Sequence, residues 1–406
     1  MEFPLLKNFD LKGKKVLLRV DINSPIDPDT GEILDDTRIR SHTPTLRYLE
    51  DAKTIVLAHQ SRPGLRDFTP LEMHAKKLEE INGRTVKYVD ELFGSRAREE
   101  IGKLKNGEIL VLENVRFCSE EVSPQVMALP PEKQAHTNFV RNLSGCVDFY
   151  VNDAFAVAHR PQPSVVAFPH VLPCAAGKLM EAEVNSLSKV LSSNSRPKVF
   201  LFGGAKVKDS LRVISRLLEK GVADAVLTSG LVANLLLVAE GRDIGKINNQ
   251  TLDDKNLLGL IPQARKVLRK HGEKIELPVD MAFQKNGSRV EAPVGKVGEN
   301  RILDIGIETI IKYSTVIRDS GVVVANGPCG LFELEAFAMG TEEILKAMAD
   351  SKAFSVIGGG HLSAIARNLG ILDRLSYAST GGKATMYFLA GETLPGIEAL
   401  KKGRHD

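Results

Sequence analysis

The chain has 406 residues, 43% of them hydrophobic and 26% charged, with a formal net charge of +3 and four cysteines. That length favours two domains over one and the mix is that of a soluble globular protein, while so small a net charge gives no ground for nucleic-acid binding, so any electropositive site must come from local clustering. No run of about 18 apolar residues occurs, the start MEFPLLKNFDLKGKK lacks a signal-peptide core, and Cys118, Cys146, Cys174 and Cys329 are too far apart for metal-ligand pairs or a disulfide framework; a reducing cytoplasm and no membrane contact are the expectation.

The first half reads as short β-type runs separated by helical stretches. The runs are 15–20 (KVLLRV), 54–58 (TIVLA), 85–89 (TVKYV), 109–112 (ILVL) and 148–151 (DFYV), with helical periodicity over 38–50 and 70–81. That alternation predicts parallel α/β layers, in which ligands gather at the carboxyl ends of the strands. The residues found there are unusual. Arg19 lies in the first run and Asp21 and Asn23 follow it. His59 and Arg62 follow the second, Glu113, Asn114 and Arg116 the fourth, and Asn152, Asp153, His159 and Arg160 the fifth, while Arg38 opens a helix. Any one of these arginines alone reads as a solvated or salt-bridged residue. Five brought together would repel one another without an anion, and the planar guanidinium fork suits phosphate and carboxylate. His59 and His159 have no metal-ligand spacing and are as consistent with hydrogen-bonding wall residues as with bases.

Residues 175–191 read as a helix, followed by the polar cluster 192–195 and Arg196-Pro197. A helix with a polar break between two α/β halves reads as an interdomain connector. The second half repeats the rhythm, with runs at 199–202, 225–228, 275–279, 321–325 and 354–357, but its strand ends carry glycines: Gly203-Gly204, Ser229-Gly230, Asn326-Gly327-Pro328-Cys329-Gly330, Gly358-Gly359-Gly360 and, later, Gly381-Gly382. Gly203-Gly204 hands a strand over to the helical stretch after Val207, with Lys206 between. On its own this is equally consistent with a tight βα turn and with a phosphate cradle at a helix start. Several glycine-lined strand ends with one lysine suit a nucleotide. Neither GxxxxGK[ST] nor a GxGxxG after a strand is present, so a P-loop and a dinucleotide fold are not predicted.

Together these motifs resemble the phosphoglycerate kinase family. The matching pieces are LLRVDIN (17–23), RIR around Arg38, LAHQSRPG (57–64), LENVRF (112–117), VNDAFAVAHR (151–160), GGAKVKDS (203–210), NGPCGLFELEAF (326–337), IGGGH (357–361) and STGGKA (379–384), in the family's order over nearly the whole chain. The resemblance implies an α/β fold of two doubly wound, mostly parallel-sheet, Rossmann-like domains joined by a hinge helix. Its expected boundaries are 1–174 for a 3-phosphoglycerate-binding lobe, 175–196 for the connecting helix and hinge, 197–390 for a nucleotide-binding lobe and 391–406 for a segment packing back on the first lobe. It implies a cytoplasmic glycolytic kinase, a transferase that moves the γ-phosphoryl of ATP reversibly to the carboxylate of 3-phosphoglycerate. Mg²⁺ would enter as MgATP or MgADP, with no protein metal site named. ATP, ADP, 3-phosphoglycerate and 1,3-bisphosphoglycerate are the implied partners, and a monomer is favoured over a homodimer.

By motif match, Asp21, Ile22 and Asn23 face the hydroxyl and carboxylate region of the substrate, and His59, Gln60, Ser61, Arg62, Arg116 and Arg160 its phosphate. Arg38 faces the reacting carboxylate. Gly203, Gly204, Lys206, Asn326, Glu333, Gly359, Gly360, His361 and Leu362 face the nucleotide, with Arg38 and Lys206 in the catalytic roles. The chain departs from the family pattern outside its archaeal branch at Ser210, Ala325, His361 and Lys383. His361 stands where a carboxylate is usual, and histidine is a poor ligand for Mg²⁺. His361 and Lys383 are the candidates to replace the positive charge missing at Ser210. Two readings from other classes compete: an NAD-dependent oxidoreductase, which the absent GxGxxG disfavours, and a two-lobed anion-binding protein without catalysis, which leaves the glycine loops without a purpose.

Overall fold

The computed structural model describes residues 3–404, and these divide into two compact units. One contains the described residues up to Asn185 and those from Thr393 onward; the other is Ser186–Glu392. Each is built on a six-stranded parallel sheet.

In the first unit the strands are β1 (Lys15–Arg19), β2 (Lys53–Leu57), β3 (Val86–Tyr88), β4 (Ile109–Val111), β5 (Phe149–Asn152) and β6 (Cys174–Ala176), in the spatial order β3-β4-β2-β1-β5-β6. The inner strands are apolar on both faces, as parallel strands between helical layers must be, and Val16, Leu18, Val56, Val111 and Val151 share one core cluster. The chain runs from β1 outward to one side and then returns to lay β5 on the other. The order therefore reverses between β1 and β5, where an open α/β sheet forms a crevice. The register aligns Arg19 with both Leu57 and Asn152. The loops after β1, β2 and β5 thus start level with one another.

In the second unit the strands are β7 (Lys198–Phe202), β8 (Ala225–Thr228), β9 (Ile275–Glu276), β13 (Val322–Asn326), β14 (Phe354–Gly358) and β15 (Tyr377–Ser379), ordered β15-β14-β13-β7-β8-β9. The reversal lies between β7 and β13. Asn326 is level with Phe202 and Gly358, and Gly358 with Ser379, so the glycine-bearing loops leave one edge together. A separate antiparallel sheet, β11-β10-β12, is made by β10 (Asp280–Lys285), β11 (Ser288–Pro293) and β12 (Ile302–Ile305).

Several elements differ from the sequence expectation. Cys174–Ala176 pairs in parallel with β5 rather than starting the helix, which begins at Lys178; an Ala-Ala pair has helix-forming character, and only its place at the sheet edge makes it a strand. The run expected over 275–279 stops at Glu276, before Pro278, which has no N–H for a ladder. The antiparallel sheet was not foreseen, although Asn286-Gly287, both at positive φ, joins β10 to β11 as a two-residue hairpin loop of the type this dipeptide favours.

Helix Lys178–Ser192 carries the chain from the first unit into the second. Its start is held by Asp153, a strand-end residue that the sequence placed beside the ligand. The buried Asp153 carboxylate accepts from Leu179 N–H (2.9 Å), Met180 N–H (3.2 Å), the Thr45 hydroxyl (2.8 Å) and His42 Nδ1 (2.7 Å). Two of these donors are orphan N–H groups of the helix's first turn. A side chain at Gly177 would collide with the same carboxylate. At the other end of the chain, helix Pro395–Lys402 returns to the first unit, where Gly396 N–H reaches Ala158 O at 2.8 Å and Cys174 N–H reaches Arg404 O at 3.1 Å. No helix among the described residues is long and apolar enough to cross a membrane. Removing the Asp153 carboxylate strands four donors, three of them buried and one partly buried. Asp153→Ala should therefore cost roughly 3–5 kcal/mol of stability, seen as a lower denaturant midpoint of the first unit's transition; an unshifted midpoint would contradict this role.

Candidate active site

The crevice of the first unit is lined with cations. Arg19 ends β1 fully buried, its Nε donating to Ser164 Oγ at 2.9 Å and its Nη1 to the Val20 carbonyl. Ser164 passes the contact on to the buried Glu121, whose carboxylate accepts from Ser164 Oγ (2.6 Å) and N–H (2.9 Å). Arg38 Nη1 donates to Asp21 Oδ2 at 2.5 Å. His59 is buried, with Nδ1 3.5 Å from Arg19 Nη2 and 3.8 Å from Asp21 Oδ1. The Asp21 N–H donates to Nε2 of His42, the histidine that also meets Asp153.

The charge states follow from these neighbours. Burial opposes ionisation of Asp21, but Arg38, Arg19 and the Asn23 N–H outweigh it and hold its carboxyl well below the usual carboxylate range. Burial and the nearby Arg19, Arg116 and Arg160 hold His59 well below its ordinary value against the pull of Asp21, so it is neutral at neutral pH. Burial, then Arg160 and Arg19, push Arg116 down to about 10. Arg160 is lowered by burial and by Arg19 and Arg38, with Asp21 and Glu121 opposing. Four guanidinium groups thus feel one another across the site, against two carboxylates, Asp21 and Glu121. The surplus is positive and partly desolvated, and a bound polyanion would relieve it.

The other expected residues of this unit divide into two groups. Asn23 Oδ1 receives the Ser61 N–H at 2.6 Å, and the Ser61 carbonyl accepts from Arg116 Nη1. Ser61 sits at φ +53, a left-handed conformation uncommon for serine, held by these bonds and by its hydroxyl on Asp67 (2.6 Å). Arg62 is exposed on the same loop. Gln60 is fully buried and braces the loop instead: its amide joins Ser24 N–H (3.0 Å), Ser24 O (2.9 Å), Asp67 O (3.2 Å) and His74 (3.1 Å). Ile22 belongs to the apolar core. Asn114 likewise ties loops together, through Gln60 and Thr69 carbonyls at 2.9 and 3.0 Å.

In the second unit Gly203 and Gly204 pack loop on loop. Their N–H groups are spent on Asn326 O and Pro328 O, each at 2.9 Å, and Leu231 N–H binds Gly204 O at 3.1 Å. A side chain at Gly203 would strike the Pro328 carbonyl and the Ser229 hydroxyl. The close backbone approach that glycine permits here is therefore made by the neighbouring loops. Lys206 is exposed at the start of helix Val207–Glu219. It lines one cleft with Asp209, Ser210, Asn326, Lys383 and Tyr387. In that cleft Lys383 Nζ lies 3.0 Å from Asp209 Oδ2 and 5.1 Å from the Tyr387 ring centre, and the Tyr387 hydroxyl donates to Asp209 Oδ1 at 2.7 Å. Burial opposes ionisation of Asp209, but Tyr387, Lys383 and Lys206 hold it below the usual range.

Gly359, at φ +97, turns β14 into helix Gly360–Asn368. Nothing lies within 4 Å of where a Gly360 side chain would begin, so this helix start, unlike the Gly203 turn, is open on that side. His361 is exposed with its ring 5.3 Å from that of Phe332, while the Leu362 side chain is buried in the core. Glu333 is exposed on the segment after β13. Among the described residues no group of three or more His, Cys, Asp or Glu could hold a metal ion. Sequence reasoning passed over Glu121, Ser164 and His42, which come from helices and loops with no strand-end signal, and over Asp209 and Tyr387, which ordinary helix periodicity conceals.

The family profile of phosphoglycerate kinase matches residues 6–392. A phosphoglycerate kinase of Methanothermus fervidus is 50% identical over 405 residues, covering 99% of this chain and 98% of that protein. One of Methanosarcina mazei is 50% identical over 401 residues, covering 98% and 95%. The crystal structure of phosphoglycerate kinase from Pyrococcus horikoshii superposes with a TM-score of 0.92 at 43% identity, covering 98% of both chains. Two parallel-sheet units, a cationic crevice in one and glycine-bearing strand ends in the other agree with these likenesses, and the chain belongs to the phosphoglycerate kinase family.

Proposed function

We propose that the protein transfers the γ-phosphoryl of ATP reversibly to the carboxylate of 3-phospho-D-glycerate, giving 1,3-bisphosphoglycerate and ADP. The observation that carries this reading is the surplus of buried, mutually repelling guanidinium charge in the first unit, at the sheet edge where an α/β fold takes its ligand. Arg116, Arg160 and Arg62 take the phosphate, with neutral His59 as a hydrogen-bonding wall. Asp21, ionised and anchored through its backbone, accepts from the substrate hydroxyl, and Asn23 supports it. Gln60 keeps the loop in shape. The second unit holds the nucleotide, with Lys206 and Asn326 toward the phosphates, the open start of helix Gly360–Asn368 beside them, and Glu333 toward the ribose.

The chemistry asks little of a proton acceptor. A carboxylate nucleophile has a reference pKa of about 4 and is ionised at neutral pH. What the step needs is in-line placement and neutralisation of charge spread over the transferring oxygens. Arg38, kept in place by Asp21, faces the acceptor carboxylate and Lys206 faces the donor phosphates. Mg²⁺ belongs to the substrate as MgATP, its charge shared among phosphate oxygens, and no protein ligand is assigned to it. Lys383, parked on Asp209 in the cleft that Lys206 lines, is a second cation available to those phosphates.

A coupled assay for ATP-dependent formation of the acyl phosphate, with and without Mg²⁺, tests the reaction; no product from 3-phosphoglycerate and MgATP would overturn it. Arg38→Ala should lower turnover by roughly 10²–10³-fold while 3-phosphoglycerate still binds, because its charge acts mainly in the transition state; near-normal turnover would refute the role. Lys206→Ala should cause a loss of similar order, and one below about tenfold would argue against the assignment. Lys383→Ala should weaken ADP and ATP binding while sparing 3-phosphoglycerate; unchanged nucleotide affinity and turnover would remove Lys383 from the site.

A further inference from the structure

The antiparallel sheet of the second unit ends in a buried ion pair that none of the roles above uses. Asp304 on β12 is fully buried as a side chain, and its Oδ2 accepts from Arg289 Nη1 on β11 at 2.9 Å and from Gly340 N–H at 2.8 Å. Its Oδ1 accepts from Ile305 N–H at 2.9 Å. Arg289 is divided among four acceptors. Besides Asp304 it reaches the Ala336 carbonyl (2.9 Å), the Ile305 carbonyl (2.8 Å) and Glu291 Oε1 (3.0 Å), with its guanidinium 5.7 Å from the Phe337 ring centre. Burial pushes the Asp304 carboxyl up to about 6 despite these donors; both its oxygens receive only N–H donors, the arrangement an ionised carboxylate takes, so the pair is a charged one.

The pair and the strand that carries Asp304 hold one surface segment at both ends. At its start Leu331 N–H binds Leu303 O at 2.7 Å; near its end Ala336 O and Gly340 N–H meet Arg289 and Asp304. Side chains at Gly330 or Gly340 would run into the Asp304 carboxylate, so both flanks of the segment lie directly against it. Between these fixed points residues 331–336 are mostly exposed, and Glu333 is among them. An exposed segment with few contacts of its own takes its conformation from its anchors.

We infer that Arg289 and Asp304 are positioning residues for the nucleotide, holding the 331–336 segment in the shape that presents Glu333 to the ribose. This rests on the reading of Glu333 given above. The antiparallel sheet is then a bracket for the nucleotide loop, not only an appendage to the core. A charged, forked clamp suits this purpose because removing one partner leaves the other buried charge unpaired together with backbone groups, two carbonyls if Arg289 goes and two N–H groups if Asp304 goes.

The test uses the full-length protein with Arg289→Met, which keeps the aliphatic bulk, and the isosteric Asp304→Asn as the second variant should the first fold poorly. Both should raise the KM for MgATP about tenfold while leaving kcat and the KM for 3-phosphoglycerate within about twofold. Amide exchange over residues 331–336 should quicken. Adding Arg289→Met to Glu333→Ala should raise that KM no further. Lowered thermal stability with an unchanged nucleotide KM, or unchanged exchange in the segment, would overturn the inference. If Glu333→Ala leaves the KM for MgATP unaltered while Arg289→Met raises it, the role given to Glu333 fails and the positioning of the segment by Arg289 stands.

Discussion

Guanidinium groups repel one another more strongly as water is withdrawn, and the first unit withdraws it. Arg19 is sealed beneath the strand ends, Arg116 and Arg160 are partly buried, and Arg38 leans on Asp21. Asp21 neutralises part of this charge, Glu121, whose carboxyl burial pushes up, stands behind Ser164, and the surplus is positive. The arrangement is costly to the folded chain without its anion, and that cost becomes selectivity. The same field keeps His59 neutral and Asp21 ionised, so both take their hydrogen-bonding roles from the arginines around them. The supporting residues, Gln60, Asn114, Ser164 and His42, are buried and fully engaged, which is how loops carrying like charges are kept together.

The second unit solves a different problem. Its strand-end loops must pass within backbone distance of one another before they can meet a ligand. Gly203 and Gly327 do this: each lacks the side chain that would strike the other's loop, and the N–H groups of Gly203 and Gly204 are used on the facing carbonyls of Asn326 and Pro328. The Gly359–Gly360 turn has open space in front of it instead. Two glycine pairs that read alike in sequence therefore serve loop packing in one case and leave open space at a helix start in the other. The antiparallel sheet adds the third component, a clamp of Arg289 and Asp304 beneath the segment that follows β13.

Much of this was legible in the order of residues. Parallel strands buried on both faces declare themselves as short apolar runs, and strand ends in such folds are where ligands lie, so Arg19, Asp21, Arg116, Arg160, Lys206 and the Gly359 turn could be named from the chain alone, and Arg38 from the family motif. The resemblance to phosphoglycerate kinases rested on those strand-end motifs and extended over nearly the whole length. What escaped was of two kinds. Strands of three residues, such as Cys174–Ala176 and Tyr377–Ser379, are too short for their own pattern to outweigh helix-forming alanines. The antiparallel strands mix polar with apolar residues in a pattern that resembles a loop, and only the Asn286-Gly287 turn marks them.

Local sequence determined the alternation of strands and helices, the placement of charged residues at strand ends and the helix starts, because each depends on neighbours within a few positions. Only the tertiary structure decided which of those residues line a crevice and which hold the scaffold. Asp153 caps a helix 25 residues on, Gln60 binds two loops at once, and Asp304 pins a segment some 30 positions away. Such roles arise from sheet order and register, which bring distant residues to one edge, and no stretch of the chain taken by itself contains them.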